Sequence, residues 1–436
     1  MGFDILEERR AVVLAGDKNY LIPILTTIKS ILYYNQNVKI YILHQNIPSD
    51  WFNDLKVQVE KLGSVVEDIR IDEEIDSEWK TQEHISAITY ARYFIPHYIE
   101  EERVLYLDSD LIINGSLDLL FDIDLGDKYL AAVRDVDGVG FNAGMLLIDN
   151  SKWKQYDITT KLINKTIDYV SSPDFAANDR FNGDQTILNL MFENHWLELD
   201  KHFNLQVGHD VIAFYSHWDS HFELDKEPLI IYYTTYRKPW STLMGYRYRD
   251  LWWAFRDVSY EQIADHYVGR FTIKRVYDLH NVNLFTFTDS QDFLYIDELA
   301  QALPDVGFHI GAYTDMGPIL MALDKYPNVH LYPSMVGAVI DEMIEKSDAY
   351  LDIHKGSPMD FIVNRYTSAG RPVLTFDATN KNQLEKTVVS SQSPQSMIEA
   401  IKELKKEKMD MKAIVFGANY QYADKVLTTI KSICCH

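Results

Sequence analysis

Cysteine is almost missing from this chain. Its two copies in 436 residues, Cys434 and Cys435, stand side by side at the end of the sequence. No disulfide framework can be built from such a pair, which fits a reducing cytoplasm. Long apolar runs are missing too. The longest are short and polar-interrupted, such as Gly144 to Ile148. A bilayer needs roughly 20 such residues, so no transmembrane segment is expected. Met1 to Arg10 is acidic and mixed, without the basic start and apolar core of a secretory signal. Positive charge is scarce: 42 Lys and Arg stand against 65 Asp and Glu, a net charge of −23. Nucleic-acid binders carry a basic face, so that function is excluded as the main task. A single diphosphate is not excluded, since one lysine or one metal ion can neutralise it.

What is present describes a globular protein. Hydrophobic residues make up 47% and charged residues 25%, ordinary values that argue against disorder. At roughly 100–200 residues per domain, the length suggests two to three domains. The first 150 residues alternate strand-like and helix-like segments. Ala11–Ala15 is a short apolar run ending in Gly16-Asp17, and Leu21, Leu25, Ile28 and Leu32 then recur at helical spacing. Val38, Ile40 and Ile42 alternate as strand residues do. Val104–Leu107, Tyr129–Val133 and Met145–Ile148 are further strand-like runs. The alternation predicts a mostly parallel sheet covered by helices, with ligands gathered beyond the carboxyl ends of its strands. Gly16-Asp17 and Asp108-Ser109-Asp110 fall at such ends. Trp252-Trp253 is expected to cover the back of this first domain.

A second alternating pattern begins near Asn283. Leu284–Phe287, His309–Gly311, Val329–Tyr332, Tyr350–Ile353 and Val373–Phe376 read as five strands of a smaller α/β unit. The last segment repeats the first. Ala413–Ile433 reads AIVFGANYQYADKVLTTIKSI where Ala11–Ile31 reads AVVLAGDKNYLIPILTTIKSI, and LTTIKSI is identical in both. A strand and helix cannot bury their faces without the rest of a domain. The expectation is therefore a first domain over 1–268, an accessory α/β domain over 269–410, and the start of a further domain over 411–436 in a longer polypeptide.

Asp108-Ser109-Asp110 follows the strand-like Arg103–Leu107. Alternate residues of an extended segment point the same way, so both carboxylates can meet one cation. Hard oxygen ligands suit magnesium or manganese, ions that bridge diphosphates.

Together with that motif, Ile85–Arg92, Phe121–Asp127, Phe141–Gly144, Asn182–Gln185 and Lys238–Trp240 resemble glycosyltransferase family eight, six motifs in family order across roughly residues 11–245. The resemblance implies a GT-A nucleotide-sugar-binding domain that transfers hexose from a uridine diphosphate sugar, UDP-galactose or UDP-glucose, with retention of configuration and manganese or magnesium. The second unit, with the start of a further domain after it, further resembles enzymes that extend O-glycans on streptococcal serine-rich repeat adhesins, so a glycosylated serine-rich protein is the implied acceptor. By position, Ala15, Asp17, Asn19 and Tyr20 match the uridine-binding turn, and Asp17 or Asn19 can equally cap the following helix. His84 is placed near the base, and Arg92 and Ser109 near the phosphates or sugar. Asp135, Asn142 and Ala143 match donor-sugar contacts. Asp184 and Gln185 flank the anomeric carbon, although Asp184 can also start a helix. Lys238 matches the lysine that meets the departing diphosphate.

One departure concerns the metal. The family motif H-x-x-G-x-x-K-P-W reads Tyr232-Tyr-Thr-Thr-Tyr-Arg-Lys-Pro-Trp240 here. Tyr232 replaces the histidine that joins Asp108 and Asp110 on the ion, and Thr235 replaces the glycine. A neutral phenol is a poor ligand. Either the two aspartates and the diphosphate hold the ion, or His217 or His221 substitutes. Tyr232 also leaves open a second reading, a non-catalytic glycan-binding or scaffold protein built on a degenerate transferase domain. In the second unit, His354–Ser357 and Ser368–Pro372 resemble the nucleotide-sugar half of two-domain glycosyltransferases, without an acidic catalytic partner.

Overall fold

The computed structural model describes residues 9–73, 79, 87–172, 175, 181–209, 224–240, 245–380, 388–391 and 393–421. They fall into two compact units, Met1–Thr242 with Tyr248–Ile273, and Leu243–Arg247 with Lys274–His436.

The first unit is built on a seven-stranded sheet. Its strands are β1 (Arg10–Ala15), β2 (Val38–His44), β3 (Val65–Arg70), β4 (Arg103–Leu107), β6 (Leu130–Val133), β7 (Met145–Asp149) and β8 (Trp196–Leu199), in the order β3-β2-β1-β4-β7-β6-β8. The β3-β2-β1-β4 half is parallel, and β7 runs antiparallel to both β4 and β6. Ala11–Leu14 are fully buried, which explains why β1 reads as a continuous apolar run rather than an alternating one. A smaller sheet orders β5 (Leu111–Ile113), β10 (Ile230–Tyr233) and β9 (Leu205–Val207) as β5-β10-β9.

The first helix, Leu21–Tyr34, is buried on most of its circumference, because helices Arg249–Asp257 and Tyr260–Tyr267 pack on the side turned away from the sheet. Ile24, Ile28, Ile31 and Leu32 are buried, whereas Leu21 and Leu25 are half-buried. Trp252 is fully buried in that covering layer, as the sequence led one to expect, while Trp253 is 37% exposed. Two small polar residues of the repeated LTTIKSI segment anchor the helix to the β4–β5 connection. Thr27 Oγ1 donates to the Ser109 and Leu111 carbonyls at 3.1 and 2.8 Å, and Ser30 Oγ accepts from Ile113 N at 3.0 Å.

The second unit contains a six-stranded, wholly parallel sheet. Its strands are β11 (Val282–Phe287), β12 (Val306–Gly311), β13 (Val329–Tyr332), β14 (Ala349–Asp352), β15 (Val373–Phe376) and β16 (Val388–Ser391), ordered β13-β12-β11-β14-β15-β16. This is the doubly wound order, with a buried apolar layer on each face. The five expected strands are present and β16 is a sixth. A helix then spans Pro394–Gln421. The repeat predicts a strand from Ala413, yet residues 413–421 continue this helix. A lone strand needs a neighbouring edge for its backbone groups, whereas a helix pairs its own. Residues 422–436 lie outside the described residues. No helix among the described residues is long and apolar enough to cross a membrane.

Candidate active site

Strand register brings the motifs together. Leu14 of β1 pairs with Leu107 of β4, so the Gly16 turn and Asp108 leave the sheet side by side. On its other flank Leu107 pairs with Met145 of β7, which sets Asn142-Ala143-Gly144 against the same carboxyl end. Asp108 N donates to the Gly144 carbonyl at 2.8 Å. Tyr232 of β10 lies opposite Leu111 of β5 and so faces the exit of the D-x-D motif. These strand ends open into a cleft of about 1250 Å³. Among the described residues every candidate lines it except Asp17 and Asn19. His84, His217 and His221 lie outside the described residues. Asp17 Oδ1 accepts from Asn19 N at 2.8 Å, closing the turn before the helix, and the Asn19 side chain is exposed. Neither residue caps that helix, whose N-cap position, Tyr20, makes no side-chain cap.

Arg92 is the hub. It sits on a 3₁₀ turn, Ala87–Phe94, only 2% exposed. Its Nε meets Asp184 Oδ2 at 2.9 Å, and its Nη2 meets Asp108 Oδ1 at 2.9 Å. Nη1 donates to the Ala143 carbonyl, and the guanidinium lies 4.3 Å from the centre of the Tyr106 ring. A surface ion pair is thereby ruled out, since this is a buried fork joining three motifs. Burial works against the guanidinium charge, but Asp184, Tyr106 and Asp108 outweigh it and hold the pKa above its ordinary value. Asp184 stands in the first turn of helix Gly183–Met191 and accepts from Thr89 Oγ1 at 2.7 Å, so its carboxylate is committed to this cluster rather than to a helix cap.

Burial pushes the Asp184 carboxyl up to about 6, with Arg92 and Thr89 pulling the other way. Above pH 6 Asp184 is the anion that Arg92 requires, and below it the pair loses a charge. The turnover rate should therefore fall as pH drops through about 6. Asp184→Asn should be slow at every pH and lack that step. A pH–rate profile with an unchanged acid limb in Asp184→Asn would assign the limb to another group.

A second cluster lies along the same cleft. Gln185 Nε2 donates to Asp135 Oδ2 at 2.6 Å while its Oε1 accepts from Ala143 N at 2.9 Å, which fixes the amide in one orientation. Asn142 Oδ1 accepts from Gly144 N and from Asn204 Nδ2, each at 3.0 Å. Burial, with Asp137 nearby, holds the Asp135 carboxyl above its usual range.

The third cluster is the carboxylate pair. Asp108 accepts from the Tyr232 hydroxyl at 2.7 Å and the Tyr106 hydroxyl at 2.9 Å. Lys238 Nζ lies 2.6 Å from Asp110 Oδ2, so in this structure its partner is a carboxylate. Burial raises the Asp110 carboxyl, Lys238 opposes that rise, and Asp108 adds to it. Tyr232 fills its place closely. A methyl group on Gly144 would lie 2.3 Å from its ring, which accounts for the glycine in Phe141–Gly144. Burial, then Asp108 and Asp110, push the phenol well above its ordinary pKa, so Tyr232 acts as a donor to Asp108 rather than as an anionic ligand. Thr235 adopts φ +67°, a conformation uncommon for a β-branched side chain. Glycine at this position in the sequence motif is thus a backbone requirement that Thr235 meets under strain. Beyond Lys238, Trp240 packs edge-on to Tyr20 with ring centroids 6.1 Å apart.

Among the described residues no three His, Cys, Asp or Glu side chains converge as a metal site. Asp108 and Asp110 nonetheless suit a hard divalent ion. They are two carboxylates at one strand end, and burial of Asp110 beside Asp108 calls for a positive charge. The sequence reading missed Thr89, Tyr106 and His209, all of which line the cleft. Thr89 and Tyr106 lie inside recognised motifs without an assigned role, whereas His209 belongs to no motif.

Comparison with known proteins accords with this geometry. Residues 11–243 match the Glycosyl transferase family 8 model, and residues 284–416 match the GftB/GlyA-F C-terminal domain.

The chain belongs to glycosyltransferase family 8.

It is 46% identical over 398 residues to the glycosyltransferase GlyD of Streptococcus pneumoniae TIGR4, covering 91% of this chain and 49% of GlyD. The chain thus spans about half the length of that relative. To GlyF of the same organism it is 36% identical, covering 92% of this chain and 100% of GlyF. The crystal structure of GlyE, also from Streptococcus pneumoniae TIGR4, superposes with a TM-score of 0.52 at 35% identity, over 91% of this chain and 100% of that one. The family-8 unit has the GT-A fold, and a second α/β domain follows it, as the sequence led one to expect.

Proposed function

We propose that this chain is a retaining transferase that moves a hexose, galactose or glucose, from a UDP-sugar to an O-glycan on a serine-rich protein. The observation that carries this reading is the continuity of the site. Asp108, Arg92, Asp184, Gln185 and Asp135 follow one another along a single cleft wall, linked by Arg92 and by the amide of Gln185. In this reading Tyr20 and the Ala15 turn receive uracil, and Asp135 and Asn142 hold hexose hydroxyls. Asp108 and Asp110 are the residues that would hold manganese or magnesium, which neutralises the departing diphosphate when bound. Tyr232 orients Asp108 through its hydroxyl.

Retention is supported by how the carboxylates are engaged. Asp108 is committed to Arg92 and Tyr232, Asp184 to Arg92 and Thr89, Asp110 to Lys238, and Asp135 to Gln185. None of these matched residues is placed as an inverting base, so the departing diphosphate takes the acceptor's proton on the front face. Gln185, fixed by Ala143 and Asp135, presents its carbonyl dipole to the positive charge that develops at the anomeric carbon. The near absence of cysteine and the nucleotide-sugar donor fit a cytoplasmic reaction.

A donor screen with manganese tests the reading. UDP release is expected from UDP-galactose or UDP-glucose, and no GDP release from guanosine diphosphate sugars. A folded protein that releases UDP from no donor would overturn it in favour of a glycan-binding scaffold.

A further inference from the structure

The seat of Lys238 has the chemistry of a cation site. Its Nζ donates to Asp110 Oδ2 at 2.6 Å and to the Tyr233 carbonyl at 2.7 Å, two oxygen donors of the kind a hard divalent ion takes. Both side chains of the pair are largely buried, at 14% and 12% exposure. The seat is fixed by backbone geometry, since Tyr233 N donates to the Asp110 carbonyl at 3.1 Å. Asp110 is also one of the two carboxylates suited to a divalent ion. An ion coordinated by Asp110 would sit within a few ångströms of the ammonium, and like charges at that distance between largely buried groups repel strongly. One carboxylate therefore cannot serve both at full strength.

We propose that Lys238 is a tethered competitor of the divalent ion at Asp110. Binding of the ion displaces the ammonium, which is then handed to the diphosphate that arrives with it. Two residues beyond Lys238, Trp240 packs against Tyr20 and Trp252, so the displaced side chain moves from an anchored stem. The contacts at Asp108 point the same way. Arg92, Tyr106 and Tyr232 already donate to it, so it contributes a partly neutralised carboxylate. The ion alone should then bind weakly, and the ion with a nucleoside diphosphate should bind well. The hand-over to diphosphate rests on the proposed donor; the competition at Asp110 does not.

The test is calorimetric titration of manganese into the full chain without nucleotide, comparing wild type with Lys238→Met and Lys238→Gln. Both variants should bind manganese about tenfold more tightly than wild type, the worth of one charge-assisted hydrogen bond removed from the competition. The gain should vanish when Asp110→Asn is added to either variant. With UDP present, the order should reverse, because the variants lack the ammonium that meets the diphosphate. Equal manganese affinity in wild type and both variants, or a gain that survives Asp110→Asn, would overturn the competition. Failure of UDP to bind any variant would instead remove the donor reading and leave the nucleotide-free comparison to judge Lys238. Circular dichroism of each variant keeps a loss of fold from being read as a loss of site.

Discussion

Asp110→Asn should lower hexose transfer about a thousandfold while the protein keeps its secondary structure, a loss of about 4 kcal/mol of transition-state stabilisation. The substitution is isosteric, and the Asp110 carbonyl that accepts from Tyr233 N is untouched, so the β5–β10 edge remains intact. What is lost is the charge. Asp110 is buried beside Asp108 and is the residue through which a divalent ion would be held against the diphosphate. Without it, charge on the leaving group is left to Lys238 alone. Lys238 keeps its bond to the Tyr233 carbonyl, so the loop does not depend on Asp110. Steady-state rates at saturating manganese decide the matter, and a variant within tenfold of wild type would remove Asp110 from the site.

The second large effect is expected at Arg92. Arg92→Met should destabilise the family-8 unit by about 3–5 kcal/mol, because it leaves buried Asp184 and its neighbour Asp108 without their shared cation. Arg92→Lys should recover little, since a single ammonium cannot reproduce a fork that reaches Asp184, Asp108 and the Ala143 carbonyl together. Raising the pH should deepen the loss in Arg92→Met. Burial holds the Asp184 carboxyl at about 6 with Arg92 beside it, and loss of that cation pushes it higher, so above pH 6 the variant alone carries the added cost of stripping or keeping that proton. Urea unfolding at pH 5 and pH 8 measures both effects. A variant as stable as wild type at pH 8 would show that Arg92 does not hold the cluster.

The fold was legible in the sequence where burial makes a strand read as one unbroken apolar run. Ala11–Ala15, Val104–Leu107 and Met145–Ile148 of the first sheet, and Val373–Phe376 of the second, were found that way. Strands β3, β5, β8, β9, β10 and β16 were not. Val65–Arg70 is mixed and only partly buried, Leu111–Ile113 and Leu205–Val207 have three residues each, and their pairing comes from distant chain. In the site, Ala15, Asp108, Asp110 and Asp135 are in the cleft because they stand at or just beyond strand ends. The partners of each charge were not legible. That Lys238 meets Asp110 depends on the β5–β10 pairing, and that Arg92 joins Asp108 to Asp184 depends on a 3₁₀ turn and helix Gly183–Met191 meeting at the end of β4, rather than on spacing along the chain. Identity of LTTIKSI at both ends of the sequence acquires a physical meaning in the first copy, where Thr27 and Ser30 hold the D-x-D connection in place.

The most direct test of the proposed activity is the proton coupling at the new anomeric centre, read by NMR on product formed from UDP-galactose or UDP-glucose before any rearrangement. An α-linked hexose, the configuration of the donor, is expected. A β linkage would contradict it and would direct attention to a cleft carboxylate outside the matched motifs, such as Glu193, as an inverting base.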